Sequence, residues 1–506
     1  MVNSLKSMRA WLLKAVHLVQ KTVRVIIDYI VLIVSSRYFF WGVIAFFIFE
    51  AVWVACSFRY PMVFDESFHV TITKLFSNQL SPFILNQPDF YDRYGNLSNG
   101  NATIFHYLMS FPYRLIVSLS GSFMIQIVFM RVLNIIMVAS GLMIFANIFK
   151  KIGIRQVCIN VALLFFALIP IVSLVAATVN YDNMLFLFTA WYLAVCVNIL
   201  KSKKIIWHNY VWLVIIGCFA SLVKFTFLPI FAASAIYLIF FVVKEYGKTF
   251  IAKFMQSLFL ANKLTIITTS ILLAVGMFSN LYLQNVVRYG TPFPACEKTM
   301  SLERCMKSYT IKRSINLEKT KNERPLSPLP VFTLDWIEIM TQSPGSTAAT
   351  SATGRMVAAN PFIAMRNIIF FGSIFVLVII IYCWRAFSKN KGWYFLIIIA
   401  STVFMAVFID NYLVYLKTHA MVGIQPRYLL GVLPIVIVMA VVSVGFLFKK
   451  SRYLKVVTLL IMLLIFTQGG GLITHIVRSN CNWYWDKAIV CEANNRARDL
   501  LTPLIK

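Results

Sequence analysis

The chain has 506 residues, of which 60% are hydrophobic and 13% charged. That balance excludes a string of ordinary soluble domains and describes a polytopic membrane protein with apolar runs long enough to cross about 30 Å of hydrocarbon. A net charge of +29 invites a nucleic-acid reading, but the positive residues cluster in short loops between apolar runs, as the positive-inside rule requires, so the expected partner is the membrane and no nucleic acid.

Residues 1–38, with Lys6, Arg9, Lys14, Lys21, Arg24 and Arg37 among apolar neighbours, read as a cytoplasmic amphipathic basic segment on an anionic leaflet. No short apolar stretch with a small-residue cleavage site opens the chain, so no removable signal peptide is expected. About eleven membrane helices follow. The first, near 39–57, delivers the run Phe64-Asp65-Glu66-Ser67-Phe68-His69 to the side opposite the basic N-terminus. Residues 58–121 form a first extracytoplasmic loop, in which the half-apolar stretch 105–119, interrupted by His106, Pro112 and Arg114, reads as an interfacial helix. Asn96-Leu97-Ser98 and Asn101-Ala102-Thr103 match the glycosylation acceptor pattern.

Helices at about 122–149, 156–178, 183–200, 207–223, 226–243 and 264–285 complete a transmembrane catalytic module over 39–285. Lys150-Lys151, Lys201-Lys203-Lys204 and the stretch Lys244 to Lys263 fall on the inner side. A second large extracytoplasmic loop spans 286–365. The C-terminal transmembrane part, 366–477, holds helices near 367–384, 393–414, 428–447 and 456–476, and a tail, 478–506, lies outside. The topology is N-in, C-out. Four of nine cysteines fall in outer segments, and their closeness in sequence predicts two disulfides, Cys296–Cys305 and Cys481–Cys491.

Asp65 and Glu66 are costly charges at a membrane interface, which makes a functional role the default. A carboxylate there can take a proton from an attacking hydroxyl; the bland alternative is a solvated helix cap. In a helix starting at this point Asp65 and His69 share a face while Glu66 points elsewhere. A divalent ion on Asp65 and His69 is an option, but no zinc-peptidase signature is present. Lys224, between two apolar helices, and Arg427, in Gly423-Ile424-Gln425-Pro426-Arg427-Tyr428, are candidates for holding a phosphate, with Gln425 beside them; the alternative is snorkelling to the interface. Arg131, about nine residues inside the second helix, needs a partner, either an interhelical pair or an anionic headgroup. Asp182 sits in the outer turn Asn180-Tyr181-Asp182-Asn183, from which it can approach Asp65. Asp410 and His419 are further polar residues toward that side.

This layout resembles the GT-C superfamily of polyprenyl-phosphate-sugar-dependent glycosyltransferases, which places an acidic motif in the first outer loop, where Asp65-Glu66 stand here. The Asp-Glu-x-x-His form at 65–69 and Gln-Pro-Arg-Tyr at 425–428 also look like patterns of GT-C-like bacterial membrane proteins. Size and composition are similar to serotype-converting O-antigen glucosyltransferases. The resemblance implies an all-α, GT-C-like fold in a bacterial inner membrane with the active site facing the periplasm. It implies an inverting transfer of a sugar, glucose in the serotype-converting group, from undecaprenyl phosphate to a glycan acceptor such as O-antigen. Asp65 would be the general base, with Glu66 able to exchange roles with it; Lys224 and Arg427 would hold the lipid phosphate as it leaves. His69, Asp182, Gln425 and Arg131 are the remaining substrate-side candidates. No cofactor is required, because the leaving group carries its own charge. The alternative is a lipid-linked sugar flippase without transferase activity, which would be expected to show broken helices, internal repeats and a midplane site.

Overall fold

In the computed structural model the described residues are 17, 21–62, 65–84, 102–202, 204–259, 264–342, 363–388, 390–467, 481–485 and 488–505. The glycosylation matches at Asn96 and Asn101 lie outside them, as do parts of both long loops. Among the described residues the architecture is all-helical, with a single isolated bridge between Phe58 and Tyr484. Over their described residues the expected membrane segments are helical. Six are individually long and apolar enough to cross a bilayer: Arg37–Ser57, Phe123–Lys151, Tyr181–Lys201, Phe225–Tyr246, Thr268–Tyr289 and Lys391–Thr418. Trp207–Val223, Ile369–Tyr382 and Leu433–Leu447 are shorter apolar helices, and Arg452–Thr467 follows them. The chain is a multi-pass membrane protein.

One expected span departs from a straight rod. The segment read as a single helix over 156–178 is two pieces, Gln156–Ala167 and Pro170–Ala176, bent by 73°. Pro170 supplies no N–H and crowds the residue before it out of helical geometry; Ile169 accordingly has ψ 119°. The second piece is buried throughout and delivers the stretch 177–180 to the end of the bundle that carries Asp65. It is braced by a buried carboxylate absent from the sequence expectations: Glu50, within the first span, accepts a hydrogen bond from Ser173 Oγ at 3.1 Å.

The helices Phe123–Lys151 and Tyr181–Lys201 pack directly against each other. A Cβ added at Gly141 would stand 2.6 Å from the Phe186 ring, so the two backbones approach because this position has no side chain. Gly141→Val is expected to destabilise the fold by about 1–3 kcal/mol through overpacking. Thermal melting of the purified variant checks this, and an unchanged melting temperature would show that Phe186 can move aside.

The described parts of the first long loop pack against each other. Glu66–Ser77 pairs with the amphipathic helix Ile104–Leu119, which buries Phe105, His106, Met109 and Tyr113 and leaves Phe111, Leu115 and Leu119 exposed. That division suits a helix lying in the interface. Arg114 fastens the pair by donating to the Phe76 carbonyl at 2.7 Å and to that of Gln79.

The second long loop is largely helical, with Cys296–Thr299, Leu302–Met306, Tyr309–Lys319 and Leu329–Gln342 among its described residues. The Phe332 ring meets those of Tyr412 and Tyr415 at a tilt, 5.0 and 4.9 Å between centroids, and Trp336 Nε1 donates to Asn411 at 2.9 Å, so the last of these helices leans on Lys391–Thr418. Arg324 donates to the Thr418 carbonyl at 2.9 Å, and His419 Nδ1 lies 3.0 Å from the Arg324 carbonyl.

The tail returns to the first loop. Arg59 N–H donates to Trp483 O at 2.7 Å, and Trp485 N–H to Ser57 O at 3.2 Å. The structure joins Cys296 to Cys305 and Cys481 to Cys491, with Cα separations of 5.9 and 5.2 Å. Cys56, Cys158, Cys196, Cys218 and Cys383 are free.

Candidate functional site

Adjacent in sequence, Asp65 and Glu66 have different surroundings. Asp65 is the residue before the Glu66–Ser77 helix and has left-handed backbone, φ 66°, a conformation that aspartate tolerates better than most residues. Its side chain makes no capping bond to that helix, contrary to the bland expectation of a helix cap. It turns instead to Arg427, Nη2 to Oδ2 3.3 Å, and keeps 29% of its side-chain surface exposed.

Glu66, one residue on, points into the bundle and is fully buried. It forms a two-pronged pair with Arg131, Nε to Oε1 and Nη2 to Oε2 both 2.8 Å. Its oxygens also accept the N–H groups of Met62 at 2.6 Å and Val179 at 3.2 Å. Arg131 uses its third nitrogen on the carbonyls of Ala55 at 2.9 Å and Phe58 at 2.6 Å. The partner that Arg131 requires is therefore Glu66. The pair ties together the end of the first span, the second helix and the stretch after the broken helix, and it satisfies backbone groups that hydrocarbon cannot.

Around Asp65 a second set of charges converges. Asp182 opens the Tyr181–Lys201 helix, placed there by Asn180, whose side chain accepts the Asp182 N–H at 2.8 Å. Lys224 ends the Trp207–Val223 helix and has extended backbone; its Nζ lies 2.6 Å from Asp182 Oδ1. Arg427, in the short helix Pro426–Leu429, reaches Asp182 Oδ2 with Nε at 3.7 Å as well as Asp65. Two carboxylates and two cations thus alternate from Asp65 through Arg427 and Asp182 to Lys224. The Lys224 ammonium is clasped between the rings of Tyr181 and Tyr428, 4.4 and 4.6 Å from their centroids, an arrangement that stabilises a cation withdrawn from water. Snorkelling was the bland alternative for Lys224 and Arg427; both are buried. Gln425 immediately precedes the Arg427 turn, and its Oε1 is buried without a hydrogen-bond partner among the described residues.

His69 lies one turn along from Asp65 and is buried against His106, with Nδ1 and Nε2 2.9 Å apart. The Tyr181 ring meets it edge-on at 4.5 Å. Burial first, then His106 and the charges of Arg427 and Lys224, hold its imidazole well below the ordinary histidine range. His106 is pushed down to about 3, chiefly by burial. Both rings are therefore neutral at physiological pH, which avoids a third positive charge beside the two cations.

This has a consequence for stability. Below about pH 6.5 the unfolded chain takes up protons at these two histidines and the folded chain does not. Stability is therefore full above that pH and falls as pH drops from about 6.5 toward the folded values, about 3 for His106. Two such groups give a limiting slope of about 2.7 kcal/mol per pH unit well below pH 6.5, and about half that on average between pH 7.5 and 5.5, where the unfolded histidines are only partly protonated. Melting in detergent between pH 7.5 and 5.5 should show this fall in stability for the native chain and a smaller one for His69→Gln/His106→Gln; equal falls would remove the pair as its source.

Among the described residues no three His, Cys, Asp or Glu side chains converge as a metal site would need. His106, Tyr181 and Tyr428 are not marked as site residues by the sequence alone. Tyr181 and Tyr428 adjoin Asp182 and Arg427, and that adjacency is the signal that could have found them.

No protein-family model matches the chain, and no curated protein does. Among solved structures it is similar to ArnT from Cupriavidus metallidurans, at 11% identity and TM-score 0.45, over 80% of this chain and 60% of that one. It is also similar to the oligosaccharyltransferase AglB of Archaeoglobus fulgidus, at 14% identity and TM-score 0.42, over 87% of this chain and 56% of that one. The chain thus spans less than two thirds of the length of the structures it matches.

Proposed function

We propose that this protein is a glycosyltransferase of the GT-C type, which moves a sugar from a polyprenyl phosphate to a glycan acceptor at the outer face of the membrane. The observation that carries the reading is the alternating cluster of Asp65, Arg427, Asp182 and Lys224. It puts one partly exposed carboxylate beside two buried cations at one end of the bundle.

In this reading Asp65 accepts the proton of the acceptor hydroxyl as its oxygen forms a bond to the anomeric carbon. The bond from that carbon to the phosphate oxygen breaks, its electron pair leaves with the phosphate, and the anomeric configuration inverts. Lys224 and Arg427 stabilise the charge that grows on the departing phosphate. Asp182 orients both cations. Glu66 is assigned a structural role, because Arg131 and two backbone N–H groups engage its carboxylate. Two disulfides support an oxidising compartment for the outer loop and tail. Undecaprenyl phosphate is the proposed carrier, glucose the proposed sugar, O-antigen the proposed acceptor and the periplasmic face of a bacterial inner membrane the proposed location.

The flippase reading is favoured by one feature, the broken helix 156–176 with Glu50 buried beside it, since transporters are built around such breaks. The deciding experiment supplies purified protein in liposomes with undecaprenyl-phosphate glucose and an O-antigen acceptor. Glucosylated acceptor supports transfer. Movement of the lipid-linked sugar between leaflets with no glycosylated product sinks the enzymatic reading.

A further inference from the structure

We infer that a cavity along the Tyr309–Lys319 helix holds the anionic part of the acceptor, a saccharide bearing phosphate or carboxylate. This deepens the glycosyl-transfer reading and rests on it for the word acceptor. It is an open cavity of about 410 Å³, lined among the described residues by one face of this helix and its end: Tyr309, Lys312, Arg313, Asn316, Leu317 and Thr320; its volume is within the size range of small-ligand sites. Its chemistry is of two kinds. An aromatic ring, an amide and a hydroxyl offer the stacking and hydrogen bonding that a sugar can use, and two cations offer a place for an anion.

Residues 296–324 carry eight Lys and Arg against four Glu, yet no carboxylate lies within ion-pair reach of Lys312 or Arg313 among the described residues. Arg313 stands 5.9 Å from the Tyr309 ring centroid, and its Nε is buried without a hydrogen-bond partner among the described residues. A guanidinium nitrogen removed from water in this way calls for an acceptor, and phosphate or carboxylate matches guanidinium geometry best. The sequence topology places this segment on the outer side, where the positive-inside rule gives no reason for lysine.

The location is also apt. Beyond the helix, Arg324 donates to both Leu317 O and Thr418 O, and the connection from His419 onward leads to Gln425 and Arg427. An anion bound on this helix is therefore held by a segment fastened to the one that bears the active-site guanidinium.

The test measures binding by the full-length protein in neutral detergent, without turnover. The probe is a phosphorylated glucosamine disaccharide, compared with the same disaccharide lacking phosphate. The native chain should prefer the phosphorylated form at least ten-fold. Lys312→Gln/Arg313→Gln should abolish that preference, Arg313→Lys should retain most of it, and Lys319→Gln, outside the cavity, should leave it intact. Lys224→Ala, which removes a proposed transfer residue, should still bind within two-fold, so loss of transfer and loss of this site are distinguishable. Equal binding of the two disaccharides by the native chain overturns the inference. So does a double variant that loses affinity for phosphatidylglycerol vesicles but not for the saccharide, since the cations would then serve bilayer headgroups.

Discussion

Replacing Asp65 with asparagine is expected to lower sugar transfer by about 10²–10⁴-fold, the usual loss when a general base is removed, with the protein still present in membranes at its normal level. The substitution is nearly isosteric, and asparagine tolerates the left-handed backbone that Asp65 adopts. The amide oxygen can still accept from Arg427. What disappears is the basic carboxylate, in the one acid of the cluster with appreciable exposure, 29% against 5% for Asp182. The fall should appear in kcat, because the proton moves only in the transition state. Asp182→Asn makes a useful contrast. It leaves Lys224 without its 2.6 Å counter-ion, so its effect should include a change in the KM for the lipid-linked donor. If Asp65→Asn keeps native kcat, the base lies elsewhere and Asp182 becomes the next acid to test.

The features legible in the sequence were those with a steep local penalty. A charge at the end of an apolar run is expensive enough to stand out, so Asp65, Arg131, Lys224 and Arg427 could be singled out one at a time. Their pairing could not, because Asp65 meets Arg427 across 362 positions and each residue alone fits an interfacial role equally well. The same averaging hid the break at Pro170: a hydropathy window spans it without a dip, while the backbone cannot. Glu50 was lost in the apolar run Phe46 to Ala55, where one carboxylate barely lowers the mean. His106 registered only as an interruption of an apolar stretch, since nothing local tells that its ring faces His69. Tyr181 and Tyr428 are ordinary aromatic residues until Lys224 is seen between them. Periodicity and hydropathy report what each segment buries, and the chemistry here comes from what several segments bury together.

Glu66→Gln is expected to act through stability, in contrast to its neighbour. Removing one charge of a buried, fully hydrogen-bonded pair destabilises by about 3–5 kcal/mol, because the other charge stays behind without compensation. Among the described residues Arg131 meets no other carboxylate; its further contacts there are the carbonyls of Ala55 and Phe58 and the face of Trp485. An apolar replacement of both partners does not escape the cost. It would take from the N–H groups of Met62 and Val179 the carboxylate that accepts them, in a site that water cannot reach, at about 1–3 kcal/mol each. Glu66→Gln, Arg131→Met and the double variant Glu66→Leu/Arg131→Met should therefore all melt early and accumulate poorly. Protein that does fold as Glu66→Gln should keep its transfer rate per molecule within a few-fold. Melting temperature and specific activity, measured on the same preparations of Glu66→Gln and Asp65→Asn, separate the two roles. A Glu66→Gln protein of native stability and no activity would exchange them, making Glu66 the base and leaving Asp65 as the residue that holds Arg427.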